Sequence, residues 1–111
     1  MSKMSRLEML KSFTEQEPEN PFNWYALALE YKELDLDQSI ELFSKLLKQF
    51  PAYLPTYYQA AEVFADLGKI SEANGIYING IKLAQSQQNN HALRELKNAY
   101  QNFQFENDLD D

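Results

Sequence analysis

Trp24 and Tyr57 lie 33 residues apart, and so do Tyr31 and Phe64. Ser39 and Ala73 are separated by 34, as are Phe43 and Tyr77. A fixed period of this size marks a chain built from stacked supersecondary units, each too small to bury its own apolar face. The step from 33 to 34 falls in a turn, where Leu34-Asp35-Leu36-Asp37 faces Leu67-Gly68-Lys69-Ile70-Ser71 with one residue fewer. Apolar residues recur at helical spacing throughout: Leu7, Leu10 and Phe13; Trp24, Leu27 and Tyr31; Ile40, Phe43, Leu46 and Leu47. Tyr57, Ala60, Ala61 and Phe64 follow, then Ile70, Ala73, Tyr77 and Ile81, then Leu93, Leu96, Tyr100 and Phe103. Strand-like alternation is missing. The expectation is an all-α chain of about six short helices.

The breakers fall between those stripes. Glu17-Pro18-Glu19-Asn20-Pro21 stops one helix and starts the next, with Asn20 a good N-cap and Pro21 suited to the first turn. Phe50-Pro51-Ala52-Tyr53-Leu54-Pro55 is a second stop. Gly68 stands where a helix would end, and Gln87-Gln88-Asn89-Asn90 is a polar link. Small residues (Ala28, Ala61, Ala73, Gly80) sit where two helices must approach closely, whereas Gly75 has no such reason to be glycine.

The period and pattern resemble the tetratricopeptide repeat family, whose signature runs W-x2-L-G-x2-Y, then A-x3-F, then P. The first repeat supplies Trp24, Leu27, Ala28 and Tyr31, then Ser39 and Phe43, then Pro51. The second supplies Tyr57, Ala60, Ala61 and Phe64, then Gly68, Ala73 and Tyr77, with Gln85 at the proline position. Leu10, Phe13 and Pro18 resemble a second helix, and Leu93, Leu96 and Tyr100 a first one. The likeness spans about residues 6 to 103 and is nearest to short free-standing bacterial proteins of this type. It implies a right-handed α-solenoid of antiparallel helix pairs with a capping helix at each end. We expect a single domain over 1–104: an N-terminal helix at 3–18, repeats at 21–51 and 54–85, and a capping helix at 89–104. An acidic, disordered tail at 105–111 follows. The outer helices carry polar sides (Lys3, Glu8, Lys11 and Glu15; Arg94, Glu95, Lys97, Asn98 and Gln101), so we expect a self-contained array.

Chemistry is scarce. The 111 residues contain no cysteine and one histidine, which leaves no thiolate nucleophile, no sulfur-ligated zinc and no His-rich metal cluster. His91 reads as a surface or cap residue without an acidic partner, and the carboxylates of Glu15, Glu17, Glu19, Asp35 and Asp37 read as turn and capping groups. Ser39, Ser44, Ser71 and Ser86 lack a local base or nucleophile elbow, and no Gly-rich phosphate loop occurs. We expect no enzyme and no cofactor. A net charge of −7 and the absence of a basic stripe argue against nucleic acid. No run of about 18 apolar residues and no signal-type apolar core occurs. Cytoplasmic residence is the default.

What remains is recognition. First helices line the concave side in this family, and the resemblance places Phe22, Tyr25, Leu29, Lys32, Tyr58, Gln59, Glu62, Arg94, Asn98 and Gln101 there. Tyrosine, arginine and amide groups suit a protein partner. Tyr25 and Tyr58 could equally pack sideways onto adjacent helices. The Lys and Asn of the family's carboxylate clamp are replaced by Tyr25 and Leu29, so binding of chaperone C-termini is not expected. The acidic balance favours a basic or mixed apolar segment as partner. A homodimer through end-helix residues near Phe103 and Phe105, or near Met4 and Leu7, is the alternative.

Overall fold

Residues 5–109 are described by the computed structural model, and they form six helices. These are α1 (Arg6–Gln16), α2 (Pro21–Leu34), α3 (Leu36–Gln49), α4 (Pro55–Asp66), α5 (Ile70–Ser86) and α6 (Asn90–Glu106). No strand occurs among the described residues. The chain divides into two compact units, the first reaching Thr56 and the second starting at Tyr57. Lys3, Met4, Asp110 and Asp111, which entered the expected first helix, dimer surface and tail, lie outside the described residues.

In the first unit the starts of α1, α2 and α3 each have a side-chain cap. Ser5 and Glu8 form a reciprocal capping box on α1, the Ser5 hydroxyl accepting the Glu8 N–H and the Glu8 carboxylate accepting the Ser5 N–H. Asn20 accepts the Phe22 N–H, with Pro21 in the first turn of α2. Asp35 accepts the N–H groups of Asp37 and Gln38 at the start of α3. The Asn23 amide donates to the carbonyls of both Phe13 and Glu17 at 3.2 Å, which closes the end of α1 against the beginning of α2. Arg6 pairs with Glu30 at 2.8 Å across the same two helices, so α1 and α2 run antiparallel.

The α2–α3 pair runs antiparallel too. The buried Ser39 hydroxyl donates to the Ala28 carbonyl at 2.9 Å, the Tyr25 ring meets Phe43 edge-on at 6.4 Å, and the Lys45 ammonium lies 4.2 Å from the Trp24 ring centroid. Ala28 and Ser39 are both completely buried, which lets the two backbones approach. Phe43 and Leu46 fill the core beside them. One expected core position moves. Phe13 is 44% exposed, and Thr14 takes the buried place next to Leu10. The Thr14 hydroxyl satisfies itself by donating to the Lys11 carbonyl at 2.7 Å, so its burial leaves no unpaired group.

In the second unit, α4 ends on Gly68 at φ +79°, where the Gly68 N–H reaches the Ala65 carbonyl and the Lys69 N–H the Phe64 carbonyl, both at 2.9 Å. Helix α5 crosses α4 at Gly80, where a Cβ would stand 2.7 Å from the Tyr57 Cβ. Helix α6 returns along α5: the Tyr77 ring packs at a tilt against Tyr100 and Phe103, with centroids 5.6 and 5.2 Å away, and the Tyr100 hydroxyl donates to the Asn74 amide oxygen at 2.8 Å. Helix α6 runs past the expected boundary at 104. Phe105 and Glu106 belong to its last turn, and Asp108 at φ 56° closes it with the Leu109 N–H on the Gln104 carbonyl. The acidic composition of 105–111 concealed that stop because an aspartate, not a glycine, adopts the left-handed conformation.

Candidate protein-interaction surface

The residues expected to line a recognition face are distributed over α2, α4 and α6, and they differ in what holds them. On α2, Phe22 is 57% exposed, while Leu29 and Lys32 are half-buried. Tyr25 is a packing residue as well as a surface one. Its ring sits edge-on to Tyr53 at 5.7 Å in addition to Phe43, and burial, aided by Tyr53, pushes its hydroxyl pKa up. Tyr58, Gln59 and Glu62 on α4 are half-buried, and Arg94, Asn98 and Gln101 on α6 are exposed. Within this second unit, burial first and then the nearby carboxylate of Glu62 push the Tyr77 hydroxyl up to about 12.

The repeat signature has a structural role. Leu27, Ala28, Phe43, Tyr57, Ala61, Phe64, Ala73 and Tyr77 are buried. Trp24 and Tyr31 are half-buried, and Pro51 and Gly68 are exposed in turns. Trp24 is fixed at both ends: its indole N–H donates to the Pro18 carbonyl at 2.7 Å, and Lys45 covers its face. Phe103, expected near a dimer surface, is only 4% exposed, whereas Phe105 is 82% exposed.

His91 has the partner that the sequence reading denied it. Its Nε2 lies 3.2 Å from the Glu95 carboxylate one helical turn on, and both side chains face solvent. An exposed pair of this kind contributes little. Asn89, not His91, caps α6 by accepting the Ala92 N–H. Among the described residues no three His, Cys, Asp or Glu side chains group so as to hold a metal ion, and no helix is long and apolar enough to cross a membrane.

The sequence reading missed the exposed apolar residues Met9 and Phe13 on α1. A signal existed: Leu10 and Thr14 at i, i+4 define the inward side, and Met9 and Phe13 are displaced from it by one residue each.

No family model matches this chain, and no curated protein matches it by sequence. Solved structures do. The solution structure of a tetratricopeptide repeat domain protein from Salinibacter ruber is 32% identical over 78% of this chain and 89% of its own, with a TM-score of 0.73. A crystal structure of the tetratricopeptide repeat domain protein from that organism is 30% identical over 77% of this chain and 97% of its own, at 0.72. A solution structure of a protein from Bordetella parapertussis shares the fold at 18% identity, covering 97% of this chain and 95% of its own with a TM-score of 0.80. Repeat period, buried signature and structural likeness at this identity agree, and the chain belongs to the tetratricopeptide repeat family.

Proposed function

We propose that this chain is a non-enzymatic, cytoplasmic interaction scaffold that takes a peptide or helix of another protein on the outward faces of its first helices. In the first unit that face is carried by Phe22, Tyr25, Leu29 and Lys32 of α2. In the second it is carried by Tyr58, Gln59 and Glu62 of α4 and by Arg94, Asn98 and Gln101 of α6. The partner is a basic or mixed apolar segment, because the chain carries a net charge of −7. The observation that supports this reading best is Phe22, a large aromatic left 57% exposed at the start of a helix whose other side is packed.

The test is affinity capture from the native cell with wild type and Phe22→Ala in parallel. Phe22 is exposed, so the variant is expected to melt at nearly the wild-type temperature while losing its partner. Undiminished capture by a folded Phe22→Ala protein overturns the α2 assignment. Tyr25→Ala is the poorer probe, because it also removes two ring contacts within the unit.

Exposure of Phe105 favours a second reading, self-association through the end of α6. Light scattering behind a sizing column decides it, and a monomer at every concentration eliminates it.

A further inference from the structure

Two contacts fix which residues share a side of the α1–α2 pair. Arg6 meets Glu30 along one flank of the seam, and the Lys11 ammonium approaches the Tyr31 ring along the other, 6.0 Å from its centroid. Phe13 follows Arg6 by seven residues and therefore lies on the Arg6 flank of α1, with Met9 beside it. Ala26 and Phe22 precede Glu30 by four and eight residues and lie on the same flank of α2. The Asn23 bond to the Phe13 carbonyl brings the Phe13 and Phe22 ends together. The result is an open channel between two antiparallel helices, floored by the small Ala26 and walled by Met9, Phe13 and Phe22, which are 44%, 44% and 57% exposed.

Charge says what fits it. Glu17 and Glu19 stand at the Phe13 and Phe22 end, and Glu33, seven residues beyond Ala26, stands at the other; all three are exposed. None of the three is in an ion pair among the described residues. From Phe22 to Glu33 is 11 residues, or about 16 Å of helix.

We infer that the α1–α2 channel of the first unit is a docking site for an amphipathic helix of a partner, about 12–14 residues long, with apolar anchors at i and i+4 and Lys or Arg at both ends. The anchors cover Met9, Phe13 and Phe22, and the cations meet Glu17 and Glu19 at one end and Glu33 at the other. This rests on the protein-binding reading above and adds the partner's chemistry and the participation of α1.

The test titrates the full chain with a labelled 14-residue peptide carrying Leu at the two anchor positions and Lys at both ends, read by fluorescence anisotropy. A second peptide replaces every Lys by Glu. The Lys peptide is expected to bind, to weaken as salt is raised, and to lose about tenfold in affinity on Phe13→Ser, the size of one anchor. The triple variant Glu17→Gln, Glu19→Gln, Glu33→Gln should remove most of the salt dependence while leaving the fold intact. Circular dichroism melts confirm that each variant is folded. Failure of the Lys peptide to bind, equal binding of the Glu peptide, or an unchanged affinity in folded Phe13→Ser overturns the inference. The protein-binding reading has its own readout. If a captured partner is lost with Phe22→Ala but kept with Phe13→Ser, that reading stands and the channel falls.

Discussion

At Gly80 the missing side chain is required by contact: a methyl group there would meet the Tyr57 Cβ at 2.7 Å, an atom fixed to its own helix and unable to swing aside. Gly75, five residues earlier in the same helix, has nothing within 4 Å of its would-be Cβ. The two positions therefore predict opposite outcomes for one chemical change. Gly75→Ala gains about 0.5–1 kcal/mol, because alanine loses less conformational freedom in a helix and meets no obstacle. Gly80→Ala gains the same propensity but pushes α4 and α5 apart, an overpacking that costs about 1–3 kcal/mol and outweighs it. Thermal melts of the two single variants check this: the midpoint rises for the first and falls for the second. The sequence alone distinguished these glycines, since Gly80 occupies a small-residue place in the helix-crossing pattern and Gly75 does not. It failed at Phe13 for an equally physical reason. A phenylalanine spaced three residues from Leu10 looks like core, and only the self-satisfied hydroxyl of Thr14 explains why the chain buries a threonine instead.

Helix starts were legible because their caps are side chains with recognisable chemistry, as with Asn20 before Pro21. Helix ends were legible where proline or glycine marks them, as at Pro18, Pro51 and Gly68. Helices α4, α5 and α6 all stop the same way, with the second residue after the helix in the left-handed conformation and the next N–H reaching back to close the last turn. Gly68 does this without strain, but Gln88 and Asp108 adopt φ 58° and 56° with full side chains. A left-handed residue other than glycine costs about 1–2 kcal/mol. Gln88→Gly is therefore expected to stabilise the second unit by roughly 0.5–1 kcal/mol, part of the relief being offset by the greater freedom of glycine in the unfolded chain. Chemical denaturation of the single variant measures it. An increased midpoint with unchanged slope is the expected result, and a decreased one would mean that the Gln88 side chain contributes contacts that the hydrogen-bond pattern does not reveal.

The whole chain has two compact units, and in both of them tyrosines are held in surroundings that resist ionisation. Burial raises the hydroxyl pKa of Tyr25 and Tyr53 in the first unit and of Tyr57 and Tyr77 in the second, Tyr77 reaching about 12. In the unfolded chain each would ionise near 10. The sign follows from which state holds the proton. Below pH 10 both states keep it and stability does not change through these groups. Above pH 10 the unfolded chain releases protons that the folded chain retains, so unfolding is increasingly favoured until the folded groups ionise as well. The contribution of these tyrosines to stability is thus expected to be flat up to about pH 10 and to decline between about 10 and 12. Tyr77→Phe should flatten that decline in particular, since Tyr77 is the most strongly shifted and is 4% exposed, and its ring packing on Tyr100 and Phe103 survives the change. Denaturation midpoints followed across this range for wild type and Tyr77→Phe decide the matter, and parallel curves would locate the alkaline sensitivity elsewhere. The same burial separates scaffold from surface in this molecule. Of the tyrosines that resist ionisation, Tyr57 and Tyr77 belong to the repeat signature, while Tyr25 and Tyr53 pack edge-on against each other within the first unit. Phe22, Phe13 and Phe105 are the large aromatics left exposed.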